Sequence, residues 1–162
     1  MRSILFAAIG GAVVASCVPR PAARCIETLC LEAPADAELT HAGARHTIRS
    51  RTSAGWVDVQ AVEPLIQPPS SPDEAIQNIA RRYALLGHGR VLSTNHARIG
   101  DEPVASTDVE VTWRGATYRR LTYVAHRGGE WIAVDITSPS ASIDEARRTW
   151  LPILQSAYWV QR

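Results

Sequence analysis

Residues 108–136, DVEVTWRGATYRRLTYVAHRGGEWIAVDI, alternate apolar and polar side chains in three runs that two glycine-containing turns separate. A period of two is typical of half-buried β-strands, and a short turn rich in glycine joins antiparallel neighbours. The turns fall at Arg114-Gly115 and at Gly128-Gly129. This stretch therefore predicts a meander of three antiparallel strands at the centre of the fold.

The register of the meander follows from its apolar positions. Pairing Tyr123 with Val134 places six apolar residues on one face: Leu121, Tyr123, Ala125, Ile132, Val134 and Ile136. To bring Val109 and Val111 to that face, the middle strand needs one extra residue, so we expect a β-bulge at Arg119 or Arg120. Glu110 would then lie across from Arg120. The opposite face would carry the polar set Asp108, Glu110, Arg120, Thr122, His126, Trp131 and Asp135.

Other elements surround this meander. Alternating patterns predict a strand pair over 46–51 and 56–62. The motifs Ser71-Pro72-Asp73-Glu74 and Ser142-Ile143-Asp144-Glu145 each match a capping box, in which serine is the N-cap and glutamate is at N3 of a helix. Pro152 lies within the apolar stripe of the second helix and should kink or divide it.

The C-terminal residues 147–158 read RRTWLPILQSAY. They resemble the closing helix of PsbP-like domains, which often has an aromatic residue, an Ile-Leu pair, then serine and a second aromatic. The resemblance implies an α+β fold, with helices packed against an antiparallel β-sheet in a PsbP-like α/β/α sandwich. It also implies a non-enzymatic accessory or binding subunit, and it transfers no functional residue because the matched motif serves packing. Packing would place Trp150 and Tyr158 in the core.

The N-terminal residues have the features of an export signal. Arg2 precedes an apolar run over 4–14 without charge, and the whole apolar segment of about 15 residues is shorter than the ~20 that a membrane-spanning helix needs. The run Val14-Ala15-Ser16-Cys17 resembles the lipobox of bacterial lipoproteins, where cleavage precedes an acylated cysteine. The resemblance implies a signal peptide over 1–16 and lipid on Cys17. The scarcity of periodic apolar positions after it, together with Pro19, Pro21 and Pro34, predicts a lipidated tether over 17–45 that leads to the α+β domain over 46–162.

Two other interpretations of this segment stay open. An ordinary signal peptidase accepts small residues such as those of Val13-Val14-Ala15, and a buried N-terminal helix of a cytosolic domain is also compatible with the run. In the lipoprotein interpretation Val18, rather than aspartate, follows the cysteine. The enteric sorting pattern then directs the protein to the outer membrane, where it faces the periplasm.

The chain has three cysteines, an odd number for an exported protein. If Cys17 carries lipid, Cys25 and Cys30 remain as a pair in an oxidising compartment, where they would form a disulfide. Two free thiols and a metal site are the alternatives. No other cysteine or histidine stands near them at ligand spacing.

Composition and motifs exclude several function classes. Seventeen basic residues nearly balance sixteen acidic ones, which argues against nucleic-acid binding because that function needs a basic footprint. The sequence has no HExxH, HxH or G-x-S-x-G motif. His41 and His46 are five apart, a spacing that suits neither one helix face nor one strand face. We therefore expect no metal, no cofactor and no catalytic residues.

The sequence predicts a lipid-anchored binding or assembly module of the bacterial envelope, with an envelope protein as its partner. An exported enzyme such as a hydrolase and a small periplasmic inhibitor or immunity lipoprotein are the alternatives. Asp108, Glu110 and Asp135 together would suit acid–base chemistry, but a nearby arginine favours a salt-bridged surface instead. The residues predicted to bind the partner are Glu110, Arg120, His126, Trp131 and Trp159.

Overall fold

A computed structural model describes residues 23–26, 28–62, 68–85 and 89–160. Cys17 and the predicted signal peptide lie outside these residues. The described residues form strands, two helices and a single 3-10 turn at Ser140–Ser142, in the following order: β1 (Ala23–Ile26), β2 (Leu29–Glu32), β3 (Glu38–Ala42), β4 (Arg45–Arg49), β5 (Trp56–Ala61), α1 (Pro72–Leu85), β6 (Gly89–Ile99), β7 (Glu102–Trp113), β8 (Ala116–Arg127), β9 (Glu130–Pro139), α2 (Ile143–Gln155) and β10 (Tyr158–Trp159).

Seven strands form one antiparallel sheet in the order β3-β4-β5-β9-β8-β7-β6, and β1-β2-β10 form a small second sheet. The predicted meander is confirmed as β7-β8-β9. Its two turns have positive φ, 51° and 79° at Arg114 and Gly115, and 59° and 81° at Gly128 and Gly129. Two consecutive left-handed residues give the two-residue turn that matches the twist of an antiparallel hairpin. The predicted strand pair is also confirmed, as β4 and β5.

A helix covers each face of the large sheet. On one face, Leu121 of β8 belongs to the main core together with Trp150 and Leu154 of α2. On the other face, Val124 of β8 packs in a smaller cluster with Ile76 of α1. Successive residues of one strand thus serve opposite helices, as the pleat of a strand requires. The α+β class and the α/β/α layering are confirmed.

The register between β8 and β9 is the predicted one, with Tyr123 opposite Val134. The predicted bulge at Arg119 or Arg120 is wrong. β7 and β8 pair without interruption, so Val109 lies opposite Arg120. The register shift lies instead on β6, next to Val91.

The second helix explains why no bulge is needed. The bulge would be needed only if Val109 belonged to the core that contains Leu121. In the structure Val109 faces α1 and is fully buried there. A Cβ atom added to Gly89 would lie 3.0 Å from Tyr83 Cβ and 3.2 Å from Val109 Cγ1, so helix and strand close around this glycine. Since both faces are covered, the strand places apolar side chains on either side.

The predicted tether is wrong for its described part, because residues 23–42 contain β1, β2 and β3. Leu29 and Leu31 of β2 are fully buried in the main core. The predicted disulfide is confirmed, because Cys25 and Cys30 are directly opposite across the β1–β2 hairpin and are bonded to each other. These strands have four or five residues, too few to show a convincing alternation in the sequence.

Removing the disulfide should cost a moderate amount of stability. In the loop-entropy account, a bridge between residues separated by five positions stabilises the folded state by about 2 kcal/mol. We expect the double variant Cys25→Ala/Cys30→Ala to lose about that much free energy of unfolding in urea titrations. A reductant should destabilise the wild type equally and leave the double variant unchanged. Equal stability of the two proteins would contradict this.

The two predicted capping boxes differ in outcome. Ser71 Oγ accepts the Glu74 N–H at 3.2 Å, as predicted, but the Glu74 carboxylate binds the Ser70 N–H at 2.7 Å, one residue earlier than a standard box. Ser142 caps α2 without a side-chain hydrogen bond, since its φ of −114° and ψ of 12° differ from the extended conformation of a capping serine. Pro152 does not divide α2, which continues to Gln155.

The aromatic residues near the C-terminus are placed differently from each other. Trp150 is fully buried, as predicted, whereas the prediction of a core position for Tyr158 is wrong because it is 47% exposed. After α2 ends, the chain becomes extended and β10 pairs with β2. Ala157 then points into the core and Tyr158 points away from it. The helical spacing of apolar residues continues to Tyr158, past the actual end of the helix at Gln155.

Candidate functional site

A polar cleft lies on the α1 side of the large sheet. The helix packs on β6, β7 and β8, and the cleft opens beside it over β4, β5, β9 and one end of β8. It has two adjoining parts, of about 540 and 900 Å³, which share Arg45 and Arg120. The residues that define this polar cleft are Arg45, Thr47, Arg49, Trp56, Asp58, Gln60, Arg82, Tyr83, Trp113, Arg114, Tyr118, Arg120, Thr122, Asp135 and Thr137.

Strand alternation delivers these polar side chains. The cleft-lining residues Arg45, Thr47 and Arg49 occupy every second position of β4. Alternate positions of a strand share a face, and Ile48 between them is buried in the main core on the other side. The same alternation on β5 brings Asp58 into the cleft.

Two buried aspartates form the floor. Asp58 on β5 and Asp135 on β9 are directly opposite, and each is 2% exposed. Asp58 accepts hydrogen bonds from Thr47 Oγ1 at 2.5 Å and from Trp56 Nε1 at 3.0 Å. Asp135 accepts from Thr122 Oγ1 at 2.5 Å. Its other oxygen accepts from the Gln60 amide at 3.2 Å. Both carboxylates are therefore held by neighbouring side chains rather than offered to solvent.

Arg120 connects the floor to α1. Its Nη1 donates to the Tyr83 hydroxyl at 2.5 Å, and its guanidinium lies 5.8 Å from the centroid of the Tyr83 ring. Burial alone would lower the pKa of Arg120. The charge of Asp135 and the contact with Tyr83 outweigh this effect, so the pKa of Arg120 is raised. Burial raises the pKa of Asp135, against the opposing effect of the Arg120 charge. The arginine is thus a fixed positive charge beneath the helix.

Two arginine–tryptophan pairs lie further out along the cleft. The Arg49 guanidinium stacks 4.7 Å from the Trp56 ring centroid, and that of Arg114 stacks 4.6 Å from the ring of Trp113. Trp113 is 59% exposed. Exposed tryptophan and arginine side chains in a concave site are the residue types that dominate binding energy at protein interfaces.

Thr137 contributes an unusual polar atom to the cleft. The residue is 4% exposed, and its Oγ1 has no hydrogen-bond partner among the described residues. Cross-strand pairing places Thr137 opposite both Trp56 and Arg120, so it lies on the cleft side of β9. A buried hydroxyl without a partner costs about 1–3 kcal/mol, and a ligand atom that reached it would gain a hydrogen bond.

The buried Asp135 gives a test of the cleft through pH. Its raised pKa means that the folded state holds this proton more tightly than the unfolded state, whose value is near 3.8. Its contribution to stability is complete below about 3.8 and is lost as pH rises through the raised pKa. We expect urea titrations between about pH 4 and pH 8 to show Asp135→Asn gaining on the wild type as pH rises.

Asp36 provides a control of opposite sign. Hydrogen bonds from the Ser50 hydroxyl and from the backbone N–H groups of Thr52 and Arg51 lower the pKa of Asp36. Its contribution is present above the unfolded pKa and is lost as pH falls through the lowered value. Asp36→Asn should therefore lose stability relative to the wild type as pH rises toward the unfolded value of 3.8, so the titrations of this variant extend below pH 4. Parallel pH profiles for all three proteins would contradict both assignments.

The five residues predicted to bind a partner do not share one surface. Arg120 lines the cleft, but it lies against Tyr83 rather than on an open face. His126 and Trp131 stack at 4.5 Å near the β8–β9 turn, where Trp131 packs against the α1 cluster. Trp159 packs against the main core on the other side, and its Nε1 donates to the Ile99 carbonyl at 3.3 Å.

The predicted polar face is also divided, because the uninterrupted β7–β8 register moves its β7 residues to the α2 side. Glu110 lies opposite Arg119, not Arg120, and forms an ion pair with Arg90 at 3.0 Å. Asp108 is buried and accepts from Arg119 Nε at 2.8 Å and from Arg147 of α2 at 2.7 Å. The proposed carboxylate cluster therefore does not form: Asp135 is near Asp58 instead.

His41 and His46 correct the inference from their spacing. The β3–β4 hairpin turn makes them cross-strand partners, with their Nδ1 atoms 2.6 Å apart. A spacing of five excludes a shared face only within one element, and here a turn intervenes. In the described part of the chain, no group of three or more histidine, cysteine, aspartate or glutamate side chains is placed to hold a metal ion.

Part of the cleft had a signal in the sequence. Arg45, Thr47 and Arg49 occupy every second position along one strand. Trp56 and Asp58 do the same in the adjoining strand. A polar row on paired strands indicates a face that no helix covers with apolar residues. What the sequence lacks is any sign that β5 pairs with β9, which alone brings Asp58 and Asp135 together.

The domain is an α/β/α sandwich with an open polar cleft on one side, and its fold is PsbP-like. No family model matches the chain, and no curated protein matches it. Solved structures do match. Cyanobacterial PsbP (CyanoP) from Synechocystis superposes with a TM-score of 0.52 at 10% identity, over 96% of this chain and 99% of that one.

Two further structures share the fold. LpqN, involved in cell envelope biogenesis of Mycobacterium tuberculosis, gives a TM-score of 0.56 at 13% identity, over 82% of this chain and 83% of its own. A protein from Bacteroides thetaiotaomicron gives 0.57 at 12% identity, and the match covers 83% of this chain but only 46% of that one. At such identities the likeness shows the fold alone. Neither of the two described helices is long and apolar enough to cross a membrane.

Proposed function

We propose that this chain is a lipid-anchored binding or assembly module of the bacterial cell envelope without catalytic activity. It would be attached through Cys17 to the outer membrane and bind an envelope protein through the polar cleft. The observation that carries the proposal is the cleft itself, with tryptophan–arginine pairs beside an unpartnered buried hydroxyl. Such a surface suits recognition of a partner because its anchoring groups are exposed or unsatisfied.

Several observations support an envelope location. The Cys25–Cys30 disulfide fits an oxidising compartment such as the periplasm. LpqN, a protein involved in envelope biogenesis, has the same fold. Five residues separate Cys17 from β1, and six extended steps of the chain span at most about 20 Å. The start of β1 would therefore lie close to the membrane surface.

The anchor has a direct test. Replacing the acylated cysteine in Cys17→Ser should move the chain from the membrane fraction to the soluble periplasmic fraction, because multiple acyl chains are needed for stable attachment. Intact-mass analysis of the wild type should show a chain that begins at Cys17 and carries acyl groups. A mature chain beginning elsewhere, or an unmodified Cys17, would contradict the lipoprotein assignment.

The partner has a separate test, in which the tagged full-length chain is purified from envelopes in mild detergent. Trp113→Ala in the cleft should abolish co-purification of the partner, since this side chain is exposed in the cleft. Leu85→Ala is the matched control, because Leu85 is 86% exposed at the end of α1 and does not line the cleft. Equal recovery of the partner with both variants would contradict a binding role for the cleft.

An exported enzyme is the second candidate, and one observation favours it. Asp135 is a buried carboxyl group with a raised pKa that lines a cleft, which is a common feature of catalytic acids. Against this, both Asp135 oxygens already accept hydrogen bonds from Thr122 and Gln60. Because neither oxygen is left free for a partner, Asp135→Asn should retain partner binding. Loss of a hydrolytic activity in that variant, with its fold intact, would favour the enzyme instead.

A further inference from the structure

The polar cleft has an excess of positive charge that the whole chain does not have. Five arginines and two aspartates line its two parts, whereas the complete sequence has a formal net charge of only +1. The cleft is therefore the place where this nearly neutral protein concentrates positive potential.

The arginines of the cleft also lack the acidic partners that five of the nine described arginines outside it have. Five arginines outside it form ion pairs with carboxylates, with Arg51–Glu38 at 2.9 Å as an example. Within the described residues, none of the five cleft arginines has a carboxylate within 4.0 Å. Arg49 and Arg114 instead stack on tryptophan rings, which leaves their N–H edges available.

The two aspartates oppose the charge of Arg120, but among the described residues neither forms an ion pair with Arg49 or Arg114. Asp58 binds Thr47 and Trp56, and Asp135 binds Thr122 and Gln60. Their hydrogen-bonding capacity is directed along the sheet, between neighbouring strands. The guanidinium groups of the outer cleft thus remain the free donors of the site.

Thr137 supplies the second, independent observation. Its buried Oγ1 lacks a hydrogen-bond partner among the described residues and lines the same part of the cleft as Arg49 and Arg114. A hydroxyl donates well to a carboxylate oxygen, and charge-assisted bonds of this type are stronger than neutral ones. A ligand oxygen that reaches Thr137 would meet both a neutral donor and several guanidinium groups.

We infer that the polar cleft binds a carboxylate-bearing segment of the partner protein, with Arg49 and Arg114 pairing its carboxylates and Thr137 donating to one of them. This inference rests on the proposed function, since it names the chemistry of the partner at the same site. The cleft of about 900 Å³ is open to solvent and holds two tryptophans, which suit the anchoring of an acidic peptide segment.

The experiment uses the full-length protein in non-ionic detergent and a fluorescent hexaglutamate peptide, with hexaglutamine as the uncharged probe. Hexaglutamate should bind, and its affinity should fall as salt is added. In the double variant Arg49→Gln/Arg114→Gln the affinity should be lower by about tenfold or more. The control Arg81→Gln/Arg148→Gln removes the same charge at exposed positions outside the cleft and should bind normally. Equal weakening in both double variants would overturn the inference.

Thr137→Val separates binding from folding. It removes the unpartnered hydroxyl at nearly constant volume, so the variant should be as stable as the wild type or more stable, and yet bind hexaglutamate more weakly. Unchanged affinity in this variant would overturn the role of Thr137. If vesicles that contain phosphatidylglycerol bind more tightly than hexaglutamate, and this binding depends on Arg49 and Arg114, the cleft binds lipid phosphates. That result would overturn the carboxylate inference.

Failure of the inference is distinguishable from failure of the proposed function. If hexaglutamate does not bind but Trp113→Ala still abolishes partner recovery, the cleft binds a partner through other chemistry and only the carboxylate inference is wrong. If Trp113→Ala leaves partner recovery unchanged, the binding role of the cleft fails with it.

Discussion

Arg120→Glu is expected to lower the free energy of unfolding by about 3–5 kcal/mol, because it replaces a half-buried positive charge with a negative one on the same side of the sheet as the buried Asp58 and Asp135. The guanidinium lies between Tyr83 of α1 and the sheet, where it bonds the tyrosine hydroxyl and offsets the charge of Asp135. A glutamate there would place a third carboxylate near Asp135 and Asp58. Urea unfolding monitored by circular dichroism measures the change.

Two controls identify the cause of this effect. Arg81→Glu makes the same charge change on the exposed side of α1 and should alter stability by no more than about 0.5 kcal/mol. Arg120→Met keeps much of the stem and removes the charge, so its loss should be smaller than that of Arg120→Glu. A stability loss below about 1 kcal/mol in Arg120→Glu would show that this side chain is an ordinary surface residue, as the sequence pattern predicts.

Arg120 illustrates what a pattern of alternation cannot reveal. The sequence correctly places it on the sheet face opposite Leu121 and Tyr123, because those residues define the main core. Whether that face is open depends on where α1 packs, and the chain between β5 and β6 gives no direction for the helix. The structure covers part of the face with α1 and leaves the rest as the cleft.

The meander and the two helices were predictable because each has a strong local signal. Alternation in β7, β8 and β9, tight turns at Gly115 and Gly128-Gly129, and the serine before α1 are all local features. Register was predictable only where one face is continuously apolar, as between β8 and β9. β7 has apolar residues on both faces, so its pattern allowed the wrong face and suggested a bulge that does not exist.

The elements that the sequence did not predict are short or polar. β6 is mostly exposed and carries polar residues such as Ser93, Thr94 and Asn95, which hide its strand character. β1 and β2 have four residues each. The cleft depends on long-range pairing, since β5 and β9 are about 75 residues apart at the Gln60–Asp135 contact. Local propensity contains no information about such a contact.

Trp150→Ala is expected to cost about 3–5 kcal/mol, the range for removal of a fully buried aromatic side chain. Trp150 is 0% exposed and belongs to the core that joins α2 to both sheets, so its removal leaves a large cavity. The transition midpoint should fall by roughly 10 °C, at about 2–4 °C per kcal/mol for a chain of this size. Trp113→Ala, at a 59% exposed site, should barely change it.

Trp150→Phe refines the test, because the Trp150 Nε1 has no hydrogen-bond partner among the described residues. Phenylalanine removes that polar atom and keeps most of the apolar volume, so it should cost clearly less than alanine. If phenylalanine and alanine were equally destabilising, the unpartnered N–H would have to contribute a hydrogen bond after all, and the packing account of this core would be wrong.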